Sequence, residues 1–288
     1  MEPVRSRVLD DAAVEAFERD GYVVVRGLFD EEEAGLVLAT AKEDRRLAAH
    51  AMGWPDDDGG LSKITLWNEP GDDIYGMVAR SERVVGSMSR LLGGEVYHYH
   101  SKLMLKEPEV GGAWLWHQDY GYWYQNGCLY PLLASVFIAL DPATGENGCL
   151  QVLKGSHRIG RIEHQVIGAQ LGADPERVAV ARERHERVTM EMRPGDGAFF
   201  HCNLLHCSGQ NRSADPRWTL ICCYNARVND PFKPSQHPAY TPLETVPDDT
   251  VLAYGHRASS PDQVFMTVDD DVSEERASAR TAARTVAD

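Results

Sequence analysis

A histidine and an aspartate stand two positions apart, at His117 and Asp119, inside the aromatic stretch WLWHQDYGYW. Two histidines and one carboxylate can bind Fe(II) on one face and leave three coordination positions open for other ligands. A further candidate ligand is His206, which follows a predicted strand. The His-x-acid spacing alone indicates little, because 11 histidines and 44 acidic residues in 288 positions give about 1.7 such pairs by chance.

An arginine that follows His206 strengthens the interpretation of these residues as an Fe(II) site. The open positions on Fe(II) can accept a bidentate 2-oxo acid and O2. The second carboxylate of that acid then favours a guanidinium, which matches it with two parallel hydrogen bonds. Arg217 lies 11 residues after His206, at the start of the predicted strand RWTLICCY. The sequence therefore contains all the parts of such an iron centre in a workable order.

The region that must position these residues reads as short strands from Glu95 onward. Gly- and Pro-rich turns separate the strands, which is typical of a sandwich or a jelly-roll barrel. The segment VYHYHSKLMLK alternates and predicts two faces. The mostly apolar face holds Tyr97, Tyr99, Ser101, Leu103 and Leu105, and the other holds Val96, His98, His100, Lys102, Met104 and Lys106. The second face would be solvated on an outer sheet, and inside a barrel it would line a polar cavity.

Helices are expected before this region. Asp10 or Asp11 is predicted to cap a helix that runs through Arg19, and GYVVVRGLF is predicted to be a strand. Asp30 followed by Glu33 predicts a second helix that begins with a capping box. Residues 52–62 are predicted to form a loop.

One helical insertion, ADPERVAVARERHER, interrupts the strands, with Asp174 as its N-cap and Pro175 at its first position. We predict a single domain over residues 1–266. Residues 267–288 form a polar tail that is predicted to be either a marginal helix or disordered.

Composition excludes several classes of protein. The net charge of −15 argues against a nucleic-acid surface, and no apolar run approaches the length of about 18 residues that a membrane span needs. The N-terminus has no secretory signal pattern. Six cysteines without a C-x-x-C pair predict buried free thiols in a cytoplasmic protein, with the adjacent Cys222 and Cys223 on opposite faces of a strand.

The motifs together resemble a known family. HQD, ENGCLQVLKGSH and GD…FFH…LLHCSGQNRS…R are similar to the phytanoyl-CoA dioxygenase family of Fe(II)/2-oxoglutarate oxygenases, which includes ectoine hydroxylases and amino-acid hydroxylases. The resemblance covers roughly residues 12 to 228. It implies a mainly β fold with flanking helices, a double-stranded β-helix (cupin-like jelly roll), and Fe(II), 2-oxoglutarate and O2 as metal and co-substrates.

The resemblance also implies roles for individual residues. His117, Asp119 and His206 resemble the iron ligands. Arg217 resembles the arginine that pairs with the distal carboxylate of 2-oxoglutarate, and Ser208 resembles the serine that assists it.

Three residues before the stretch WLWHQDYGYW, and one inside it, are candidates for contacts with the substrate or the co-substrate. Lys106 resembles a lysine that reaches the co-substrate in ectoine hydroxylases. His100 stands where those enzymes have a substrate-binding glutamine, which puts ectoine in doubt as the substrate. Lys102 and Trp123 are further candidates for substrate contacts, although Trp123 is equally well explained as a core residue.

Other histidines compete with the chosen ligands. His157, in KGSH, is expected to be a structural turn residue. His201 lies five residues before His206, but only His206 puts Ser208 and Arg217 at the family's spacing. His164, His185 and His256 are expected to be surface groups.

The implied function is hydroxylation of an unactivated C–H bond in a small polar metabolite, such as an amino acid or a specialised-metabolite scaffold. Halogenases of this superfamily have a small residue in place of Asp119, so the carboxylate favours hydroxylation. Desaturation or ring formation would use the same ligands. The alternatives from other classes are a cupin-like binding protein without turnover, a Zn²⁺-dependent hydrolase or isomerase, and a structural module.

Overall fold

The computed structural model describes residues 8–267. This part of the chain contains thirteen strands and eight α-helices, joined by turns and loops. The strands are β1 Tyr22–Val25, β2 Met52–Pro55, β3 Leu61–Trp67, β4 Val96–Lys106, β5 Trp114–His117, β6 Leu133–Ala139, β7 Leu150–Leu153, β8 His164–Ile167, β9 Gln170–Ala173, β10 Arg187–Thr189, β11 Gly197–His201, β12 His206–Ser208 and β13 Arg217–Ala226. The α-helices are α1 Asp11–Asp20, α2 Glu31–Glu43, α3 Arg45–Ala49, α4 Ile74–Arg80, α5 Glu82–Leu91, α6 Asp119–Trp123, α7 Pro175–Arg184 and α8 Thr250–Tyr254. Two short 3₁₀ helices span Ser156–Ile159 and Arg227–Asn229.

Two antiparallel sheets dominate the structure. The larger has seven strands in the order β1-β11-β6-β13-β4-β3-β2, and the smaller has four in the order β10-β7-β12-β5. Strands β8 and β9 form a separate hairpin. The prediction of a mainly β protein with flanking helices is confirmed.

The large sheet has a core on each face. Val136, Leu220 and Leu103 pack on one face with residues of the helices before β4, whereas Phe137 and Ile221 belong to a second core that includes residues of β7 from the small sheet. Alternation along a strand explains this division, because successive side chains point to opposite faces. Cys222 and Cys223 follow the same rule, as predicted, and all six cysteines are buried free thiols.

The N-terminal helices begin where the sequence indicates. The side chain of Asp10 accepts a hydrogen bond from the backbone N–H of Ala13 at the start of α1. In α2 the side chains of Asp30 and Glu33 form the reciprocal bonds of a capping box. The predicted helical insertion is α7, with Asp174 as its N-cap. Among residues 8–267, no helix is both long and apolar enough to cross a membrane.

The predicted loop over residues 52–62 is wrong, because most of it is the β2–β3 hairpin. Only residues 56–60 form the turn that connects the two strands. The carboxylate of Asp56 accepts hydrogen bonds from the backbone N–H groups of Asp58 and Gly60, which closes the polar stretch DDDGG into a tight connection. Met52 and Ile64 are then direct cross-strand partners that pack on the cavity side of the sheet. The predicted tail lies outside the described residues from position 268 onward.

Candidate metal centre and active-site cavity

Three predicted metal ligands converge between the two sheets. His117 ends β5, and His206 begins β12 as its direct antiparallel partner, so their rings lie 4.0 Å apart. Asp119 is the first residue of α6, and its Oδ1 lies 3.9 Å from His206 Nε2. One ligand atom from each of the three residues lies within 4.8 Å of the other two. The structure thus brings together residues that are far apart in the sequence.

Gln118 fixes the turn between the two nearby ligands. Its side-chain amide donates to the carbonyls of Gly160 and Asn203, and its Oε1 accepts from the backbone N–H of Ile162. Its own backbone N–H donates to His164 Nε2. These bonds hold the point where the chain leaves β5 for α6, and therefore they hold the angle between His117 and Asp119.

Both histidines of this cluster have the same orientation relative to the backbone. The Nδ1 atom of His117 bonds to the carbonyl of Leu115 at 2.7 Å, and that of His206 bonds to the carbonyl of Leu204 at 2.9 Å. Since a carbonyl only accepts, each Nδ1 carries the proton and each Nε2 presents a lone pair. Burial lowers the pKa of His117 well below its usual value, and it also lowers the pKa of His206. Neutral imidazole is the form that binds metals.

The carboxylate of Asp119 is also oriented by a neighbour. Ser135, on β6, donates from its Oγ to Asp119 Oδ2 at 3.1 Å. This bond leaves Oδ1 on the side of His206. Two neutral imidazoles and one carboxylate are the donor set that leaves positions open on non-haem Fe(II), so these residues fit that metal. No other cluster of this kind was found within residues 8–267.

Arg217 forms a cationic end to the cavity. Its side chain is fully buried, and its Nε has no hydrogen-bond partner within the described structure. Its contacts with described residues are weak: Nη1 lies 3.5 Å from Thr219 Oγ1, Nη2 lies 3.7 Å from Met104 Sδ, and Cζ lies 5.7 Å from the centroid of the Phe137 ring. Burial lowers the pKa of Arg217 to about 10. A buried guanidinium without an anion is costly, so this geometry favours a bound carboxylate.

Ser208 and Lys106 lie beside that end. Ser208 lines the same cavity as Arg217, and Lys106 Nζ donates to Ser208 Oγ at 2.8 Å and to the carbonyl of Gly209. Lys106 itself does not line the cavity, although it is the direct cross-strand partner of Arg217. Burial, followed by the nearby Arg217, holds the pKa of Lys106 well below its usual range.

The predicted alternation of β4 is interrupted by a bulge. On β13, Cys223 faces His100 and the next residue, Tyr224, faces His98, so Tyr99 has no partner. Tyr97 and Tyr99 therefore pack in the cavity-side core, and Val96 and His98 lie on the helix side. The predicted faces are correct from His100 onward and wrong before it.

His100, Lys102 and Trp123 line the cavity. Trp123 is 3% exposed, so it belongs to the core and to the cavity wall at once. The ring of His100 lies 5.7 Å from that of Trp123, and neither of its nitrogens has a hydrogen bond within residues 8–267. Lys102 is half-buried and has no ion pair with a described residue.

One histidine that competes with the predicted metal ligands does not lie where the sequence predicts. His164 was expected on the surface, but it is 3% exposed and lines the cavity. Its ring packs so closely on α6 that a Cβ at Gly121 would lie 2.1 Å from His164 Cε1. No local pattern indicates this contact, because it joins strand β8 to a helical residue 43 positions earlier in the chain.

The other competing histidines lie away from the three ligands. His201 packs between the rings of Phe17 and His157, and its Nδ1 accepts from the backbone N–H of Asn203. His157 lies in the 3₁₀ turn after β7, as predicted. His256 is exposed and His185, at the end of α7, is half-buried.

Gln236 and His237 are among the cavity residues that the sequence analysis does not predict. Gln236 and His237 follow β13 in a segment without regular secondary structure, and both line the cavity. The segment QHPAY has no periodicity, so only its polar and aromatic composition could have suggested a site.

Comparisons with known proteins identify relatives of this chain. The family model described as phytanoyl-CoA dioxygenase (PhyH) matches residues 17–219. An L-proline trans-4-hydroxylase of Streptomyces griseoviridis is 31% identical over 192 residues, which cover 61% of this chain and 72% of that protein. An ectoine dioxygenase of Bordetella parapertussis is 26% identical over 244 residues, or 75% of each chain.

Solved structures are similar over most of the chain. The crystal structure of EctD from S. alaskensis with bound Fe has a TM-score of 0.69 and 25% identity, and covers 86% of this chain and 90% of that one. The structure of the same protein with 2-oxoglutarate and 5-hydroxyectoine has a TM-score of 0.68 and 26% identity, with the same coverage.

Proposed function

Because this chain belongs to the phytanoyl-CoA dioxygenase family, we propose that its cavity binds a small, polar, amino-acid-like metabolite and that the residues described above carry the reaction. The protein is an Fe(II)- and 2-oxoglutarate-dependent dioxygenase that acts as a hydroxylase. When bound, Fe(II) with 2-oxoglutarate and O2 supplies an oxidant that can take hydrogen from an unactivated C–H bond, and 2-oxoglutarate leaves as succinate and CO2.

The observation that carries the residue assignment is the convergence of His117, Asp119 and His206. We assign them as the iron ligands because two Nε2 lone pairs and one carboxylate oxygen meet in a buried position. Ser135 acts through Asp119 as a positioning residue. A zinc hydrolase could use the same three ligands, but it would give no reason for a buried guanidinium in the same cavity whose Nε has no partner among the described residues.

Arg217 and Ser208 are proposed to hold 2-oxoglutarate. A distal carboxylate would satisfy the unpartnered Nε of Arg217, which no described group satisfies. Ser208 Oγ already accepts from Lys106 Nζ, so its proton is available to an anion on the cavity side. Lys106 is thus proposed to support the co-substrate through Ser208.

The substrate is proposed to occupy the opposite end of the cavity. Arg217 pairs with Lys106, and Cys223 pairs with His100, so the two ends are six residues apart along β13, about 20 Å of strand. Cys223 also pairs with Ser135, which places His100 two strand spacings, about 10 Å, from the strand that supports Asp119. We propose that a metabolite of amino-acid size occupies the space between His100 and the ligands.

Lys102 is proposed to bind a carboxylate of the substrate. It follows His100 by two residues on the cavity side of β4, and it has no anionic partner in the described structure. Trp123 is proposed to form an apolar wall beside it. An amino acid offers both a carboxylate and an aliphatic C–H bond.

We also propose a β-sheet architecture, a domain organisation and a cellular location for this protein. Seven- and four-stranded antiparallel sheets around a ligand cavity support a double-stranded β-helix, or jelly roll. We propose one domain over residues 1–266. Six buried free thiols support a cytoplasmic location, and the predicted lack of nucleic-acid binding follows from the net charge of −15.

The test is turnover with defined probes. Anaerobic addition of Fe(II) and 2-oxoglutarate should give a weak visible absorption band, and O2 with the common amino acids or ectoine should then release succinate. A product heavier by one oxygen atom indicates hydroxylation, whereas loss of two hydrogens indicates desaturation or ring formation. No succinate in any reaction would favour the binding protein without turnover.

The ligand assignment is tested with Asp119→Ala. This variant should lose the absorption band and succinate release, whereas Asp58→Ala, at an exposed turn, should retain both. Full activity in Asp119→Ala would remove Asp119 from the ligand set.

A further inference from the structure

Residues 230–240 follow β13 and the short 3₁₀ helix after it, and they reach the cavity where His237 contacts His100. We call this segment the strap. It has no regular secondary structure, and it lies beyond residue 219, where the match to the family model ends. Its residues Gln236 and His237 nevertheless line the cavity. The strap therefore contributes to the cavity from outside the residues that the family model matches.

Hydrogen bonds fix the strap in place. Asn68 donates from Nδ2 to the carbonyl of Gln236 at 2.6 Å, and its Oδ1 accepts from His237 Nδ1 at 2.9 Å. The backbone N–H of Phe232 donates to the carbonyl of Gly127 at 3.1 Å. The strap is thus tied both to the end of β3 and to the loop after α6. Its position at the cavity follows from these contacts.

The imidazole of His237 stacks on that of His100. The ring centroids are 4.7 Å apart and the rings are inclined by 25°. His100 is buried and has no hydrogen bond at either ring nitrogen within residues 8–267. Among the described residues, the rings of Tyr99, Trp123 and His237 therefore hold its orientation by packing against it. Of these, only His237 comes from outside the matched core.

An unpaired, buried imidazole indicates a ligand. Burial lowers the pKa of His100 well below its usual value, so the ring is neutral, with one donor nitrogen and one acceptor nitrogen. A neutral ring suits an ammonium, hydroxyl or carbonyl group better than it suits a carboxylate, for which Lys102 is available on the same strand. The two groups together fit a substrate with a carboxylate at one end and a hydrogen-bonding group at the other.

We propose that the strap determines substrate specificity: the ring of His237 positions His100, and His100 makes the polar contact with the substrate. This inference rests on the proposed function, because it needs the substrate to occupy the His100 end. His237 is a positioning residue in this scheme. Its ring, rather than its hydrogen bond to Asn68, is the part that His100 requires.

The experiment measures two KM values in His237→Ala and His237→Phe. The probes are the amino acid or ectoine that gives the fastest succinate release in the wild-type enzyme, and 2-oxoglutarate. His237→Ala should raise the KM for that substrate roughly tenfold, the effect of one hydrogen bond, without a matching rise in the KM for 2-oxoglutarate. His237→Phe keeps the stacked ring and should return the substrate KM towards the wild-type value. Phe232→Ala removes an exposed ring from the same strap and is the matched control.

Three results would overturn the inference. Equal rises in both KM values in His237→Ala would indicate general damage. A Phe232→Ala variant that behaves like His237→Ala would show that the strap acts only through its stability. A His237→Phe variant as impaired as His237→Ala would remove the stacking role. In each case the wild-type turnover would still support the proposed function. If no probe stimulates wild-type succinate release, the proposed substrate class and this inference both fail.

Discussion

His206 lies directly opposite His117 across the β5–β12 ladder, with 4.0 Å between their ring centroids. Each ring is held by a hydrogen bond from its Nδ1 to the carbonyl two residues earlier. The pair therefore depends on strand register, because a shift of one residue would turn one imidazole to the other face of the sheet. Asp119 completes the group only because the chain enters α6 immediately after β5.

Removing the hydroxyl that orients Asp119 should weaken metal binding. Ser135→Ala deletes the donor to Asp119 Oδ2, so the carboxylate can rotate away from the histidines. We expect Fe(II) affinity to fall by about 10- to 100-fold, as measured by anaerobic calorimetry. Ser62→Ala removes an equally buried hydroxyl that donates to the carbonyl of Gly112, and serves as the control. An unchanged affinity in Ser135→Ala would show that Asp119 is oriented by other contacts.

Neutralising the buried guanidinium should affect 2-oxoglutarate specifically. Arg217→Met removes the charge-assisted hydrogen bond from Nε to the distal carboxylate, worth about 1.5–3 kcal/mol, so the KM for 2-oxoglutarate should rise by roughly 10- to 100-fold. The thermal unfolding temperature should not fall, because Arg217 Nε has no partner among the described residues. Arg177→Met, on the exposed surface of α7, is the control for charge loss. A variant that unfolds at lower temperature with a normal KM would make Arg217 structural.

Replacing Lys102, which lines the cavity, should give the opposite pattern of KM values from replacing Arg217. In Lys102→Met the anionic end of the substrate loses its cation, so the substrate KM should rise about tenfold or more while the KM for 2-oxoglutarate changes little. Lys63→Met, on the neighbouring strand β3, removes a lysine that forms an ion pair with Glu107 at the surface. If the KM for 2-oxoglutarate rises instead, Lys102 serves the co-substrate and the proposed substrate carboxylate has another partner.

A buried carboxyl outside the cavity should make stability depend on pH. Burial raises the pKa of Asp73, the N-cap of α4, from 3.8 to about 6. A raised pKa means that the folded state binds the proton more tightly, so this contribution is complete below about pH 4 and is lost as the pH rises through about 6. The difference of about 2 pKa units corresponds to at most roughly 3 kcal/mol.

Asp73→Asn tests this pH dependence, because asparagine also caps helices but does not ionise. The variant should be more stable than wild type at pH 7.5, and the difference should shrink towards pH 4.5, as measured by urea unfolding at both pH values. Asp72→Asn changes the neighbouring carboxylate, which is 79% exposed on its side chain, and should not show this trend. A pH-independent difference between Asp73→Asn and wild type would show that Asp73 does not titrate in this range.

The segments where local structure and tertiary structure agree were predictable. The capping residues of α1, α2 and α7 act through bonds to backbone groups three residues away, so their sequence is enough to place them. The β2–β3 hairpin was missed because polar residues in its turn dominate the local pattern, while Met52 and Trp54 are held by packing across the sheet. The bulge at Tyr99 was missed for a related reason, because an alternating sequence does not show where a partner strand skips a residue.

By itself, the sequence of this protein determined the chemistry that is available: two imidazoles, a carboxylate and a guanidinium in a characteristic order, within a chain of short strands. Only the tertiary structure decided which groups meet. Strand register placed His206 against His117, burial left Arg217 Nε and His100 Nδ1 without hydrogen bonds to the described residues, and the strap brought His237 onto His100. The physical reason is that ligand type is a property of one side chain, whereas convergence and burial depend on contacts between segments that are distant along the chain.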